Sequence, residues 1–184
     1  MKLLPLGLAL LATAPAIASD WTLDPAASSV TFTTEVFSRP LTGSFGRFDA
    51  DITFDRADLE SARIEGRIFV ASGATGNAQY DSEMTGIDGL DAEHHPVAVF
   101  VSTQISESDL CADAEGDCYV ADGRLTIAGT TKAAQLPFRL VIDGDRAAAD
   151  GHFTIHRGDF DVGSGLWGSE GENVEVWLHI EAIR

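Results

Sequence analysis

From Ser28 to the end of the chain, apolar residues recur at every second position in run after run, and only rarely at the three-to-four spacing of a helix. Every second side chain of a strand points the same way, so each run calls for a sheet with one dry face. Val30, Phe32 and Thr34 alternate with Thr31, Thr33 and Glu35. After an interruption at Arg39-Pro40, Phe48, Ala50, Ile52 and Phe54 take one face against Asp49, Asp51 and Asp55. Ile64, Gly66, Ile68 and Val70 alternate with Arg63, Glu65 and Arg67, and the same style continues through 96–105, 118–128, 135–142, 146–157 and 173–183. Glycine-rich or acidic turns such as Asp143-Gly144-Asp145 separate most of these runs. Between 71 and 95 the alternation fails. Gly, Asn, Asp and Ser dominate there, which predicts a long connection with one short helix over 81–85 serving as a lid or binding element.

About eight antiparallel strands, each with one apolar face, can hide faces and edges as a two-sheet sandwich or as a closed barrel. Glycines inside the runs (Gly43, Gly46, Gly66, Gly123 and Gly151) suit the sharp coiling of a small barrel. The expected fold is therefore all-β, a single antiparallel barrel with one long connection.

Residues 1–18 read as a signal peptide: Lys2 is the positive flank, Leu3 to Leu11 the apolar run, and Ala16-Ile17-Ala18 the small-residue cleavage site. The run is too short to span a bilayer, and no later window is long enough, so stable membrane insertion is not expected. Residues 19–184 then form one exported domain, with the periplasm as its compartment. The formal charge of −17 leaves Lys132 as the sole lysine after the leader, which disfavours nucleic acid and anionic lipid as partners. Cys111 and Cys118, flanking an acidic stretch in an exported chain, are expected to form a disulfide at a hairpin tip.

The stretch 151–167 carries an unusual charge. Phe153, Ile155 and Arg157 share the apolar parity against His152, Thr154 and His156. A guanidinium on that face needs a carboxylate, a carbonyl or an aromatic ring, since burying it without partners costs several kcal/mol. Asp159 is a partner within reach.

Several stretches in order resemble the YceI-like periplasmic polyisoprenoid-binding proteins. They are Trp21-Thr22-Leu23-Asp24-Pro25 leading into Ser29-Val30-Thr31-Phe32, Gly43-Ser44-Phe45-Gly46-Arg47-Phe48, and Pro96-Val97-Ala98-Val99-Phe100. Gly123-Arg124-Leu125-Thr126-Ile127 running to Lys132, and Phe153-Thr154-Ile155-His156-Arg157-Gly158-Asp159-Phe160, complete the set. The resemblance implies a lipocalin-like barrel around an isoprenoid chain, a polyprenyl compound or a quinone, as bound ligand and with no other cofactor. The family commonly has histidine where this chain has Ala27 and Val36, and Arg-Asp-x-x-Leu where it has Tyr80-Asp81-Ser82-Glu83-Met84. The ending Val162-Gly163-Ser164-Gly165-Leu166-Trp167 is similar to a subgroup associated with membrane b-type cytochromes, which favours quinone and suggests such a redox partner. A homodimer is a further expectation.

The residues assigned to the interior are Phe32, Phe45, Phe48, Ile52, Ile68, Phe100, Leu125, Ile127, Phe138, Leu140, Phe153, Ile155, Val176 and Leu178, with Trp167 at the rim. They line a cavity or fill it as core; an eight-stranded barrel permits either. Each prenyl unit buried there would contribute a few kcal/mol at ~25 cal/mol per Å². Two readings stand for Arg157: contact with a polar head group, or closure of the barrel by stacking on an aromatic such as Trp21, as lipocalin-like barrels pair an early tryptophan with a late arginine.

No catalytic residue or metal ligand is assigned. His94-His95 lacks a spaced third ligand, and Gly163-Ser164-Gly165 misses the nucleophile elbow. Rival functions are an enzyme on a small lipophilic substrate, using His152, His156 or Asp159, and an acidic module docking on a basic redox partner through the 111–118 hairpin.

Overall fold

The computed structural model describes residues 20–111, 116–163 and 172–184. The leader, the middle of the disulfide hairpin, and Ser164 through Trp167 lie outside the described residues. Strands β1 (Asp20–Leu23), β2 (Ser29–Val36), β3 (Arg39–Phe45), β4 (Phe48–Thr53), β5 (Arg63–Phe69) and β6 (Gly73–Ala74) are followed by helix α1 (Ala78–Thr85). Then come β7 (Val97–Glu107), β8 (Asp117–Ile127), β9 (Thr130–Asp143), β10 (Arg146–His156) and β11 (Asn173–Ile183).

These form eight staves of one closed antiparallel barrel. β1 and β2 are one stave broken at 24–28, because both pair with β11: Leu23 faces Ala182 and Val30 faces Leu178. β3 and β4 are likewise one stave, facing β2 and β1, and β5 with β6 make the third. From β7 to β11 each strand pairs with the next in sequence. Closure of β11 on β1 and β2 removes the exposed edge that an open sheet of this length would present.

The pattern of the later strands matches the alternation closely. Arg39-Pro40, however, opens β3 instead of interrupting the sheet. The turn lies one step earlier, at Phe37 and Ser38 (φ 51° and 58°), between the paired residues Val36 and Arg39. Pro40 sits outside the part of β3 that β6 pairs with, an edge position that tolerates a missing N–H. β9 begins at Thr130, five residues before the apolar alternation resumes, since the tight turn at Ala128-Gly129 (φ 45° and 78°) restarts the ladder at once. Helix α1 starts at Ala78 because the Asn77 side chain accepts hydrogen bonds from the N–H groups of Gln79 (3.0 Å) and Tyr80 (3.4 Å).

Cys111 and Cys118 are joined as a disulfide between the end of β7 and the start of β8. On the chain-entropy account so short a loop contributes roughly 2 to 3 kcal/mol. Reduction, or the Cys111→Ala/Cys118→Ala pair, should lower the melting temperature by roughly 5 to 10 °C in a calorimetric scan. An unchanged midpoint would show that the link only tidies the hairpin.

Candidate functional site

The ladder registers carry the inward parity around the barrel: Trp21 pairs with Ile52 and Ile52 with Ile64, Phe48 with Ile68 and Ile68 with Ala98, and Ala50 with Gly66 and Gly66 with Phe100. In a solid core such side chains would be buried. Phe48, Ile52, Ile68, Phe100 and Phe153 are only half-buried although they point inward, so the barrel is hollow. The cause is composition: Ala50, Gly66, Ala98, Ala134, Ala147, Ala149 and Ala182 all stand at lining positions, and the volume they lack is the cavity.

Two apolar cavities lie along the interior. The floor cavity, about 170 Å³, is lined by Phe48, Ile52, Phe100, Phe138, Leu140 and Leu178 among others. The rim cavity, about 180 Å³, is lined by Phe32, Phe45, Ile127 and Ile155 together with Tyr80 and Met84 of α1. Ile68, Ala98, Leu125, Phe153 and Val176 line both, so the cavities abut at this waist. Apolar cavities of roughly 150 Å³ stay dry and take up benzene-sized molecules. Every residue assigned to the lining within the described chain thus borders this interior, while Trp167 lies outside the described residues.

The floor is plugged by aromatics. Phe54 meets Tyr119 edge-on at 5.1 Å, Tyr119 stacks on Phe138 at 5.6 Å, and Trp21 Nε1–H donates to the Phe54 carbonyl at 3.0 Å. The late arginine that covers Trp21 is Arg184, 4.7 Å from the ring, and not Arg157. The expected Trp21–Arg157 stack is thereby corrected. Arg157 follows β10 in a 3₁₀ turn and borders the rim cavity, whereas Trp21 borders the floor. Parity predicts the face Arg157 shares with Phe153 and Ile155; it cannot predict which end of which stave closes over which.

At the rim, the Arg157 guanidinium donates to the Val162 carbonyl at 2.9 Å, and its backbone N–H donates to the Glu172 carbonyl at 2.8 Å. Loss of water around the guanidinium lowers its pKa, with Glu172 pulling the other way. Asp159, proposed as its partner, is exposed to solvent. Among the described residues, the other polar side chains bordering the rim cavity are Thr34, Thr75 and Tyr80. Asp81 braces this edge, accepting from the backbone N–H and the hydroxyl of Thr75 at 2.6 Å each.

Sequence reasoning missed Leu41, Val70, Leu90, Phe160, Val162 and Val174 at the rim, and Tyr80 with Met84 on the helix. An i, i+4 apolar pair on a short helix over an expected barrel was the available signal for the last two. Ile64, Leu136, Ile142 and Ile180 share the parity of assigned neighbours and needed only its extension.

The histidines of β10 and β11 face outward. His152 stacks on Trp177 at 3.8 Å and meets Glu175 at 2.6 Å, His156 meets Asn173 at 2.6 Å, and His179 meets Asp150 at 2.7 Å. None of them borders either cavity. Among the described residues no cluster of His, Cys, Asp and Glu has the geometry to hold a metal ion, and no helix is long and apolar enough to cross a membrane. Burial raises the pKa of Asp150, but hydrogen bonds from His179 and Arg139 outweigh it and hold the carboxyl below its ordinary value. Its contribution to stability is therefore present above the unfolded carboxylate pKa, near 4, and lost as pH falls through the lower folded value. Asp150→Asn should remove that part of the acid limb from melting temperature plotted against pH, and an unchanged limb would count against the pairing.

The YceI-like domain model matches residues 21–182. A UPF0312 protein of Pectobacterium atrosepticum is 30% identical over 150 residues, covering 78% of this chain and 74% of that one. Another, from Pseudomonas fluorescens, is 30% identical over 190 residues, covering 98% and 95%. Among solved structures, Burkholderia cenocepacia BcnA superposes with a TM-score of 0.77 at 31% identity, over 86% of this chain and 98% of that one. A polyisoprenoid-binding domain from Saccharophagus degradans superposes with a TM-score of 0.63 at 16% identity, over 91% and 99%, a likeness of fold.

Proposed function

Because the chain belongs to the YceI-like domain family, we propose that it is a non-catalytic periplasmic carrier that holds an isoprenoid lipid, a quinone or other polyprenyl compound, inside its barrel. The observation that carries this reading is the continuous apolar interior, with small residues keeping the floor cavity open and only a few polar residues on its borders: Asp49, Arg67 and Gln135 along the floor cavity, Thr34, Thr75, Tyr80 and Arg157 at the rim. A linear hydrocarbon with a small oxygen-bearing head fits this interior: because the floor end is closed by the Trp21 plug, the tail runs past the waist toward it, and the head stays beside Arg157, Tyr80 and Thr75. The polyisoprenoid-binding domain of Saccharophagus degradans shares the architecture. The outward histidines count against the enzymatic alternative, because an acid or base must reach the reacting atom. The sequence of residues 1–18 supports export, and the likeness of the 162–167 stretch to a subgroup associated with membrane b-type cytochromes supports a quinone handed to such a partner.

Native mass spectrometry of protein purified from the periplasm, followed by organic extraction and chromatography of the bound material, tests the reading. The expected result is a mass increment equal to one prenyl lipid. Protein that emerges empty and takes up neither ubiquinone nor a polyprenol from detergent would end it.

A further inference from the structure

We propose that the barrel collects its lipid by direct contact with an electrically neutral bilayer, docking through the exposed side chains of Phe37 and Ile87 beside the rim cavity. The inference rests on the carrier reading above and adds the surface through which that carrier is loaded.

The floor end is plugged by Trp21, Phe54, Tyr119 and Phe138, so a long chain enters from the rim. Among the described residues, two large apolar side chains stand out from that end, Phe37 at 76% exposed and Ile87 at 75%. Phe37 is at the tip of the β2–β3 hairpin, just beyond Thr34 and Leu41, which pair with each other and line the rim cavity. Ile87 stands between α1 and the lining residues Gly89 and Leu90. Its neighbour Asp88 accepts a hydrogen bond from Gly163 N–H at 2.8 Å, tying this loop to the turn that carries Arg157. Leu110, also exposed, belongs to the disulfide hairpin at the plugged end.

The backbone gives an independent reason to look at Phe37. A two-residue hairpin turn with both residues at positive φ favours Asn-Gly, and here it holds Phe37 at 51° and Ser38 at 58°. A bulky side chain in the left-handed region is strained, and strain that persists at a solvent-exposed tip points to use. It projects an aromatic ring past the end of the barrel, as insertion into a lipid interface requires.

Charge selects the kind of bilayer. Glu35, Asp88, Asp159 and Asp161 are exposed at this end against Arg39, and the chain as a whole carries −17, so an anionic surface repels it. Two side chains also make for a weak, reversible contact. Even a myristoyl chain binds membranes only marginally, so this carrier touches the membrane and leaves.

The test measures extraction of solanesol from phosphatidylcholine vesicles, by pelleting the vesicles at timed points and assaying the protein fraction. If loading is by contact, the initial rate rises in proportion to protein concentration; if lipid passes through water, the rate is capped by desorption and does not rise. The F37N/S38G pair should melt no lower than the parent, since it installs the preferred turn, yet load roughly five- to tenfold more slowly from vesicles. I87S, which asks nothing of the hairpin, should slow loading similarly, and phosphatidylglycerol in the vesicles should slow the parent. Solanesol offered in detergent micelles separates the two readings. No uptake from micelles by the parent would sink the carrier function itself. Normal uptake from micelles, with vesicle loading that is unchanged in both variants or independent of protein concentration, would overturn the docking alone.

Discussion

Gly66→Phe should leave the barrel folded and melting within a few degrees of the parent, yet unable to hold a prenyl chain. A Cβ built at Gly66 meets nothing within 4 Å, because Gly66 stands opposite Ala50 and faces the floor cavity. A ring there would occupy a large part of about 170 Å³. Replacing a strand-interior glycine also recovers some backbone entropy, roughly 0.5 to 1 kcal/mol on the Gly-to-Ala scale. Gly43 and Gly123 behave in the opposite way. A Cβ at Gly43 would lie 2.3 Å from the Phe32 ring, and one at Gly123 would lie 2.5 Å from the Val101 carbonyl oxygen. Gly43→Ala and Gly123→Ala should therefore destabilise by roughly 1 to 3 kcal/mol, the usual cost of overpacking. Thermal melts beside native mass spectra of all three variants check this. A Gly66→Phe protein that still carries a full complement of lipid would show that the chain does not lie in the floor cavity.

Trp21→Ala should cost roughly 3 to 5 kcal/mol, a fall of about 10 °C or more in melting temperature. The ring is 5% exposed, belongs to the plug with Phe54, Tyr119 and Phe138, and loses its hydrogen bond to the Phe54 carbonyl on truncation. Arg184→Ala removes a cation over an indole at a part-exposed site, worth roughly 0.5 to 1 kcal/mol. A double-mutant cycle distinguishes the two late arginines: Trp21 and Arg184 should show a coupling of that size, and Trp21 and Arg157 none. A coupling that ran to Arg157 instead would reverse the assignment made from the geometry.

Arg157 shows where a linear reading stops. Alternation with Phe153 and Ile155 placed it on the inward side, and it does border the rim cavity. Its tie to Val162 arises because the chain leaves β10 in a 3₁₀ turn and doubles back, a contact five residues away that strand parity does not encode. Trp21 was expected to meet an arginine late in the chain, and it does. The partner is Arg184 because the closing pair of staves is β1 with β11, and Leu23 beside Ala182 puts the last residue over the indole. β1 and β3 escaped notice for a local reason: Asp20–Leu23 is too short to show a period, and Arg39-Pro40 opens β3 with two exposed polar or ring-locked residues.

The sequence by itself determined the class of fold and the inner face of each stave, since a period of two leaves a strand no other way to hide its apolar side chains. It also marked the connection that carries α1, because 71–95 offers no repeating face. Hollow against solid was undecided. The same inward Phe, Ile and Leu residues suit both, and the difference lies in where Ala50, Gly66, Ala98, Ala134 and Ala149 fall relative to them around the barrel. Gly123 and Gly66 are the same residue in comparable strands, yet the Phe100 ring covers one and the other faces open space. Only closure of the barrel brings those positions together, and so only the tertiary structure could turn an apolar face into a cavity.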